Sequence, residues 1–267
     1  MAVTDRGGFT TRRFKTARTV LALMLREMST TYGRSPGGYI WAILEPIGGI
    51  TMLTIIMVVG LRIRTPPIGV NFPIFFASGM LPFMMYQQIA NPVARAIQFS
   101  RPLLFYPGVT YVDAVLARFL LMFLTKVVVF FVVVGMITLL FDTRTSFDLG
   151  YIALSMAMAA SLGLGVGCMN AYLIPTYPLW DSLWGIVTTP LFFMSTILFL
   201  LEDLPEDIRA VLWWNPLVHV VATMRRGFYP TYDGSFASPM YVFLIAAVAI
   251  ALGLLLLGRF YRDILNR

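Results

Sequence analysis

The chain has 267 residues, of which 58% are hydrophobic and only 12% charged, with a net charge of +7. A soluble domain averages about 25% charged residues, so this composition excludes an ordinary soluble enzyme and points to a polytopic membrane protein. In a soluble protein the basic excess would suggest nucleic acid, but here it gathers near the N-terminus, where it fits cytoplasmic loops and anionic lipid.

Thr11-Arg12-Arg13-Phe14-Lys15 has a faint twin-arginine look. The apolar patch behind it, Val20 to Leu25, is short and runs into Arg26-Glu27, so a cleavable signal peptide is not expected. Phe14, Ala17, Leu21, Met24 and Met28 share one helical face, with Lys15, Arg18, Arg26 and Glu27 elsewhere. That pattern predicts an amphipathic helix lying in the headgroup plane or against a partner protein. Gly33 and Pro36-Gly37-Gly38 then turn the chain into the membrane. Residues 1–38 read as a cytoplasmic segment and 39–267 as the transmembrane domain.

The expected fold is an all-α integral membrane protein with six spans. They run from about Trp41 to Leu61, Phe72 to Ala90 (broken by Pro82), Val115 to Phe141, Leu149 to Ile174, Leu183 to Leu201 and Met240 to Gly258. Between the last two, Ile208 to Met224 is apolar but short, and Asn215-Pro216 cuts it in two. It reads as a re-entrant helical hairpin, with a folded external loop as the alternative. Lysine and arginine favour both termini in the cytoplasm. The outer loops then hold Arg62, Arg64, Arg144, Arg209, Arg225 and Arg226, with the acidic cluster Glu202, Asp203, Glu206 and Asp207.

The missing motifs narrow the chemistry. The only lysines, Lys15 and Lys126, close no Gly-x-x-x-x-Gly-Lys-Ser/Thr loop, so the usual phosphate cradle for nucleotide is lacking. One histidine, His219, cannot build a multi-histidine metal site, and Cys168 alone cannot form an internal disulfide. Ionisable groups at membrane depth are Glu45, Asp113, Arg118, Lys126 and His219. Such groups are costly in lipid and mark candidate sites. Glu45 either faces a polar path or pairs with an arginine. Asp113 and Arg118 read as a pair at the mouth of the third span. Lys126 lines a polar channel, snorkels or pairs with Glu45. His219 reads first as a structural hydrogen-bonding group. Tyr32, Tyr39, Trp41, Trp180, Trp184, Trp213 and Trp214 fit an aromatic belt, though flat rings also suit sugar faces.

Several segments together resemble the membrane subunit of an ABC-2-type capsule polysaccharide exporter. They are Arg26-Glu27 with Tyr32-Gly33-Arg34, the run Gly38-Tyr39-Ile40-Trp41-Ala42-Ile43-Leu44-Glu45-Pro46, Phe72-Pro73 with Gly79-Met80-Leu81-Pro82-Phe83, and Tyr106-Pro107 with Asp113 and Ala117-Arg118. Tyr177-Pro178, Pro190-Leu191-Phe192-Phe193 and Trp214-Asn215-Pro216-Leu217-Val218-His219-Val220-Val221 complete the set. The family pattern carries glutamate where this chain has Met122 and Ala222, so no role of those carboxylates transfers.

The resemblance implies a channel subunit, not an enzyme, in the bacterial inner membrane. It implies a homodimer working with a cytoplasmic ABC ATPase that binds the ATP and Mg, so no cofactor is expected in this chain. It further implies a periplasmic polysaccharide co-polymerase-type adaptor, an outer-membrane polysaccharide export channel and a lipid-linked, acidic polysaccharide as cargo, with no nucleic acid. Arg34, Tyr39, Trp41, Glu45 and Lys126 are the candidate pathway residues. Arg95, Arg101, Phe105 and Tyr106 are candidates for coupling to the ATPase. Trp213, Trp214, Asn215, Pro216 and His219 are candidates for a periplasmic gate. An O-antigen or teichoic acid exporter, a lipid- or glycan-modifying enzyme using Glu45 and His219, and an ion-coupled transporter are the rivals.

Overall fold

The computed structural model describes residues 15–31, 38–106 and 108–266. Among these residues there is helix and no strand. The helices are α1 (Lys15–Thr31), α2 (Tyr39–Ile55), α3 (Phe72–Ala94), α4 (Ala96–Phe99), α5 (Arg101–Leu104), α6 (Tyr111–Leu140), α7 (Leu149–Thr176), α8 (Pro178–Met194), α9 (Glu206–Trp213), α10 (Pro216–Phe228) and α11 (Pro239–Asn266).

Local chemistry sets the helix starts. Thr110 and Asp113 form a capping box at α6: the Thr110 hydroxyl accepts the Asp113 N–H at 3.2 Å, and Asp113 Oδ2 accepts the Thr110 N–H at 2.9 Å. Asp148 caps α7 through the Gly150 N–H at 2.8 Å. Pro178 and Pro216 open α8 and α10, where a missing N–H costs nothing. The first span continues past α2 as a π-helical turn over Ile56–Gly60, closed by the Leu61 N–H on the Ile56 carbonyl at 2.9 Å.

Pro82 does not break α3, which runs unbroken for 23 residues with Pro82 and Pro92 inside it. A proline removes one donor, and a helix packed on all sides keeps the rest. α3 is the centre of the molecule: Ile74, Phe75, Phe76 and Ala77 are wholly buried. α7 lies beside it, and three of its glycines allow backbone-distance packing. A Cβ on Gly163 would stand 2.8 Å from the Tyr86 carbonyl of α3, and one on Gly165 would stand 2.9 Å from the Ala246 carbonyl of α11.

Among the described residues, four stretches are long and apolar enough to cross a bilayer: Ile40–Gly60, Tyr111–Leu140, Leu149–Thr176 and Pro239–Leu265. The expected second and fifth spans are also helical, as α3 and α8. α3 is sheathed by protein and carries Gln87-Gln88 in its interior. α8 has 17 residues, starts earlier than expected, and has no buried residue at all. Most of α2 and α11 is likewise uncovered by this chain.

Three expectations are corrected. α1 packs on α6 through Val20 and Leu23 against Ala117, while Leu21 (57% exposed) and Met28 (39%) of the expected apolar stripe face away. Arg118 pairs with Glu27 rather than Asp113, whose carboxylate is used by the α6 cap. Arg225, expected in an outer loop, is one of the largest fully buried side chains.

Candidate functional site: a polar cleft at the α1 end

A cavity of about 1030 Å³ opens where α4 and the start of α6 meet the end of α3 and the start of α8. α3, α4 and the Arg95 corner between them supply Asn91, Pro92, Arg95, Gln98 and Phe99, α6 supplies Arg118, and α8 supplies Asp181, Ser182, Trp184, Gly185 and Thr188. A cleft with two guanidiniums, amides, hydroxyls and a flat indole suits an anionic, hydroxyl-rich ligand.

Each of its arginines is engaged by a carboxylate from another helix. Arg95 Nη2 reaches Asp181 Oδ2 across the cleft at 3.4 Å, both side chains being half exposed or more. This pair is worth little energetically but is one of the polar ties on α8. At the same end of the helix, Trp180 Nε1–H donates to Asn170 Oδ1 of α7 at 2.9 Å. Arg118 Nε lies 3.0 Å from Glu27 Oε1 of α1, with both side chains almost fully buried. Its guanidinium also stacks over the Phe99 ring at 3.9 Å. Burial pushes the Glu27 carboxyl up to about 7, against the opposing pull of Arg118 and Arg26.

Further along α3, Gln88 Nε2–H donates to Glu45 Oε2 of α2 at 2.7 Å. Lys126 is buried under Pro46, Leu81, Met84 and Phe130, and Glu45 is the charge whose field acts on it. Of the expected pathway residues, Lys126 therefore lies within the field of Glu45, next to Pro46 of the same α2 turn. Trp41 is exposed on α2. Arg34 lies outside the described residues, as does the Tyr39 side chain at the head of α2. Of the expected coupling residues, Arg95 lines the cleft, whereas Arg101, Phe105 and Tyr106 are exposed on and after α5.

The expected gate residues meet at the other end. Asn215 caps α10 by accepting the Leu217 N–H at 3.1 Å, and donates to the Met194 carbonyl at 3.0 Å. His219 is neutral with its proton on Nε2: Nδ1 accepts the Ser238 N–H at 3.1 Å, so Nε2 donates to the Trp213 carbonyl at 2.8 Å. Its ring packs against Trp213 and Tyr241. Trp214 is exposed, and its carbonyl accepts from the Tyr241 hydroxyl at 2.8 Å. The second helix of the pair, α10, is built into the core, while α9 buries only Leu212. His219 and its neighbours form a structural joint, with no free imidazole nitrogen for acid–base work.

The sequence reading missed Asn91, Gln98, Asp181 and Ser182 as cleft residues, and missed Glu27 as the partner of Arg118. A charge at a position that packs inward on α1 was the available signal for Glu27. Arg225 was also missed. It donates to the Phe199 carbonyl at 2.9 Å and the Ile197 carbonyl at 3.1 Å, and lies over the Phe75 ring.

These features define an all-helical membrane protein with a polar cleft at one end and an aromatic joint at the other. The ABC-2 type transporter family matches residues 18–229, and the chain belongs to that family. It is similar to the polysialic acid transport protein KpsM of Escherichia coli, at 32% identity over 89% of this chain and 92% of that protein. It is also similar to the capsule polysaccharide export inner-membrane proteins CtrC of Neisseria meningitidis (24%) and BexB of Haemophilus influenzae (21%), each over 92% of both chains.

Proposed function

We propose that this chain is the membrane-spanning permease of an ATP-driven exporter that moves a capsule polysaccharide out of the cytoplasm. The observation that carries the reading is similarity along nearly the whole length to capsule export proteins of the inner membrane. The cleft fits it chemically, because its guanidiniums, amides and indole suit acidic sugars or a phosphate. The chain is a transport subunit; a separate cytoplasmic ABC ATPase binds ATP and Mg and supplies the energy.

In this reading α2, α3, α6, α7, α8 and α11 are six spans in the inner membrane with both termini in the cytoplasm. The positive N-terminal segment supports that orientation. α1 rests at the inner interface, its exposed Leu21, Leu25 and Met28 facing lipid or the ATPase. α9 and α10 form a re-entrant gate on the periplasmic side. The uncovered apolar faces of α2 and α8 meet those of a second copy, and the glycan passes along that seam. A periplasmic co-polymerase-type adaptor and an outer-membrane channel complete the route for a lipid-linked, acidic chain.

The test is to delete the gene and locate the polysaccharide. Intracellular accumulation with loss from the surface, restored by a plasmid copy, is expected, as is co-purification of an ATPase bearing a phosphate-binding loop. Normal surface capsule in the deletion strain overturns the proposal.

A further inference from the structure

Arg118 sits where three parts of the molecule meet. It belongs to α6, is pinned by Glu27 of α1 at 3.0 Å, stacks on Phe99 of α4 at 3.9 Å, and forms part of the cleft wall. Glu27 and Arg118 are only 1% and 8% exposed at their side chains. A buried ion pair of this kind is a poor source of net stability, since desolvation offsets the attraction, but it is a good two-state contact. Held by Glu27 in its ionised form, the guanidinium is neutralised. Released, it is a cation on the wall of a cleft that already holds Arg95. α1 is attached mainly through the small cluster Val20, Leu23 and Ala117, and its outward face is open to another protein.

We propose that Glu27 is a positioning residue: it clamps Arg118 against Phe99, and withdrawal of α1 frees the guanidinium into the cleft as a binding group for a carboxylate or phosphate of the cargo. α1 thereby reports the state of the ATPase to the glycan-binding cleft through one charge. The direction of coupling rests on the permease reading above; the contact itself does not.

The experiment reads the charge of the cleft directly. Ser182, exposed on the cleft wall, is replaced by cysteine in a Cys168→Ala background, and the permease–ATPase complex is reconstituted in lipid nanodiscs. Modification rates are compared for an anionic methanethiosulfonate (ethylsulfonate) and a cationic one (ethyltrimethylammonium), at low ionic strength and in buffer more alkaline than the value of about 7 to which burial pushes the Glu27 carboxyl, so that the parent carries the Glu27 charge. At about 0.01 M ionic strength, freeing one unit charge on the order of 8 Å away in water raises the anionic-to-cationic rate ratio about fourfold. Glu27→Gln preserves the shape of the side chain and removes its charge, so it is expected to give this rise. Adding Arg118→Gln is expected to cancel it, and Arg118→Lys to retain much of it. In the unsubstituted complex the ratio is expected to differ between nucleotide-free and ATP-bound states, and in Glu27→Gln to stay high in both.

A ratio within twofold of the parent in Glu27→Gln overturns the clamp. A rise in Glu27→Gln without any nucleotide response in the parent overturns the coupling and keeps the clamp. Absence of an associated ATPase counts against the permease reading instead. The charge exchange Glu27→Arg with Arg118→Glu gives a second readout. A merely structural pair predicts restored export; the clamp predicts a folded complex that does not export, because the freed group is then an anion. Restored export overturns it.

Discussion

Arg225 and Arg226 are neighbours on α10, yet the structure gives them different energetic roles, and substituting each by methionine separates them. Arg225 is 1% exposed, lies in the field of Glu202 and Asp203, and ties α10 to the irregular stretch after α8 through two carbonyls, Phe199 and Ile197. Methionine keeps most of the stem and removes both hydrogen bonds, leaving two buried acceptors. Hydrogen bonds to a charged donor contribute about 1.5–3 kcal/mol each, and relief of the buried charge offsets part of that. The net loss for Arg225→Met is about 2–4 kcal/mol, or roughly 4–16 °C in Tm for a chain of this size. Arg226 is half-buried, with a 3.2 Å bond to the Tyr151 hydroxyl and a guanidinium 4.6 Å from that ring. Arg226→Met is expected to cost under about 1 kcal/mol. The assay is thermal unfolding of the purified permease in detergent, followed by intrinsic fluorescence. Equal shifts for the two variants would refute the view that Arg225 fastens α10 to the core.

Three more outcomes follow from particular contacts. Because docking of α1 raises the Glu27 carboxyl from 4.5 to about 7, the docked state takes up a proton, with Arg118 and Arg26 as the charges acting on it. Docking is therefore strongest in acid and weakens as pH climbs from about 4.5 to 7. Amide exchange of α1, corrected for intrinsic rates, should be more protected at pH 5.5 than at pH 8, with the difference lost in Glu27→Gln. Protection that rises with pH would contradict this. Gly253→Leu places a Cβ 2.6 Å from the Cys168 backbone carbon, so overpacking between α7 and α11 should cost about 1–3 kcal/mol in detergent unfolding, with no change if the helices can part freely. Asn215→Ala removes the α10 cap and the bond to Met194, and should lower stability by about 1–2 kcal/mol, whereas Asn215→Asp, which keeps the acceptor, should recover the cap alone.

Much of the fold was legible because a bilayer writes its demand into composition. Runs such as Tyr111–Leu140 and Leu149–Thr176 have few interpretations, and Asn215-Pro216 marks the break between two short helices. What was not legible is which apolar face packs on protein. On α1, Val20 and Leu23 turn inward while Leu21 and Leu25 turn outward, and hydropathy cannot rank them when the outside is also apolar. The same ambiguity placed Arg225 in a loop: an arginine satisfied by two carbonyls and a ring can be buried, but its partners lie on a segment distant in sequence.

The site was legible in parts and not as a place. Glu45, Lys126 and Arg95 stand out individually, since each is a charge in or beside an apolar run. The structure adds the element that orders them. Gln88 and Asn91 of α3 and Arg95 at its C-cap follow one another at spacings of three and four, so they fall on one side of that helix and its end. Gln88 meets Glu45 at the upper end of this stripe, and Arg95 meets Asp181 at the lower end, within the cleft. A polar stripe of that length cannot face lipid, because its amides would lie in hydrocarbon without partners. It must face water or another chain. The same stripe explains why α3, though central and helical, falls outside the four most apolar stretches: its polarity follows from the wall it forms. Glu45 is then best understood as the end of that wall rather than as an isolated carboxylate, and its bond to Gln88 fixes where the first span meets it.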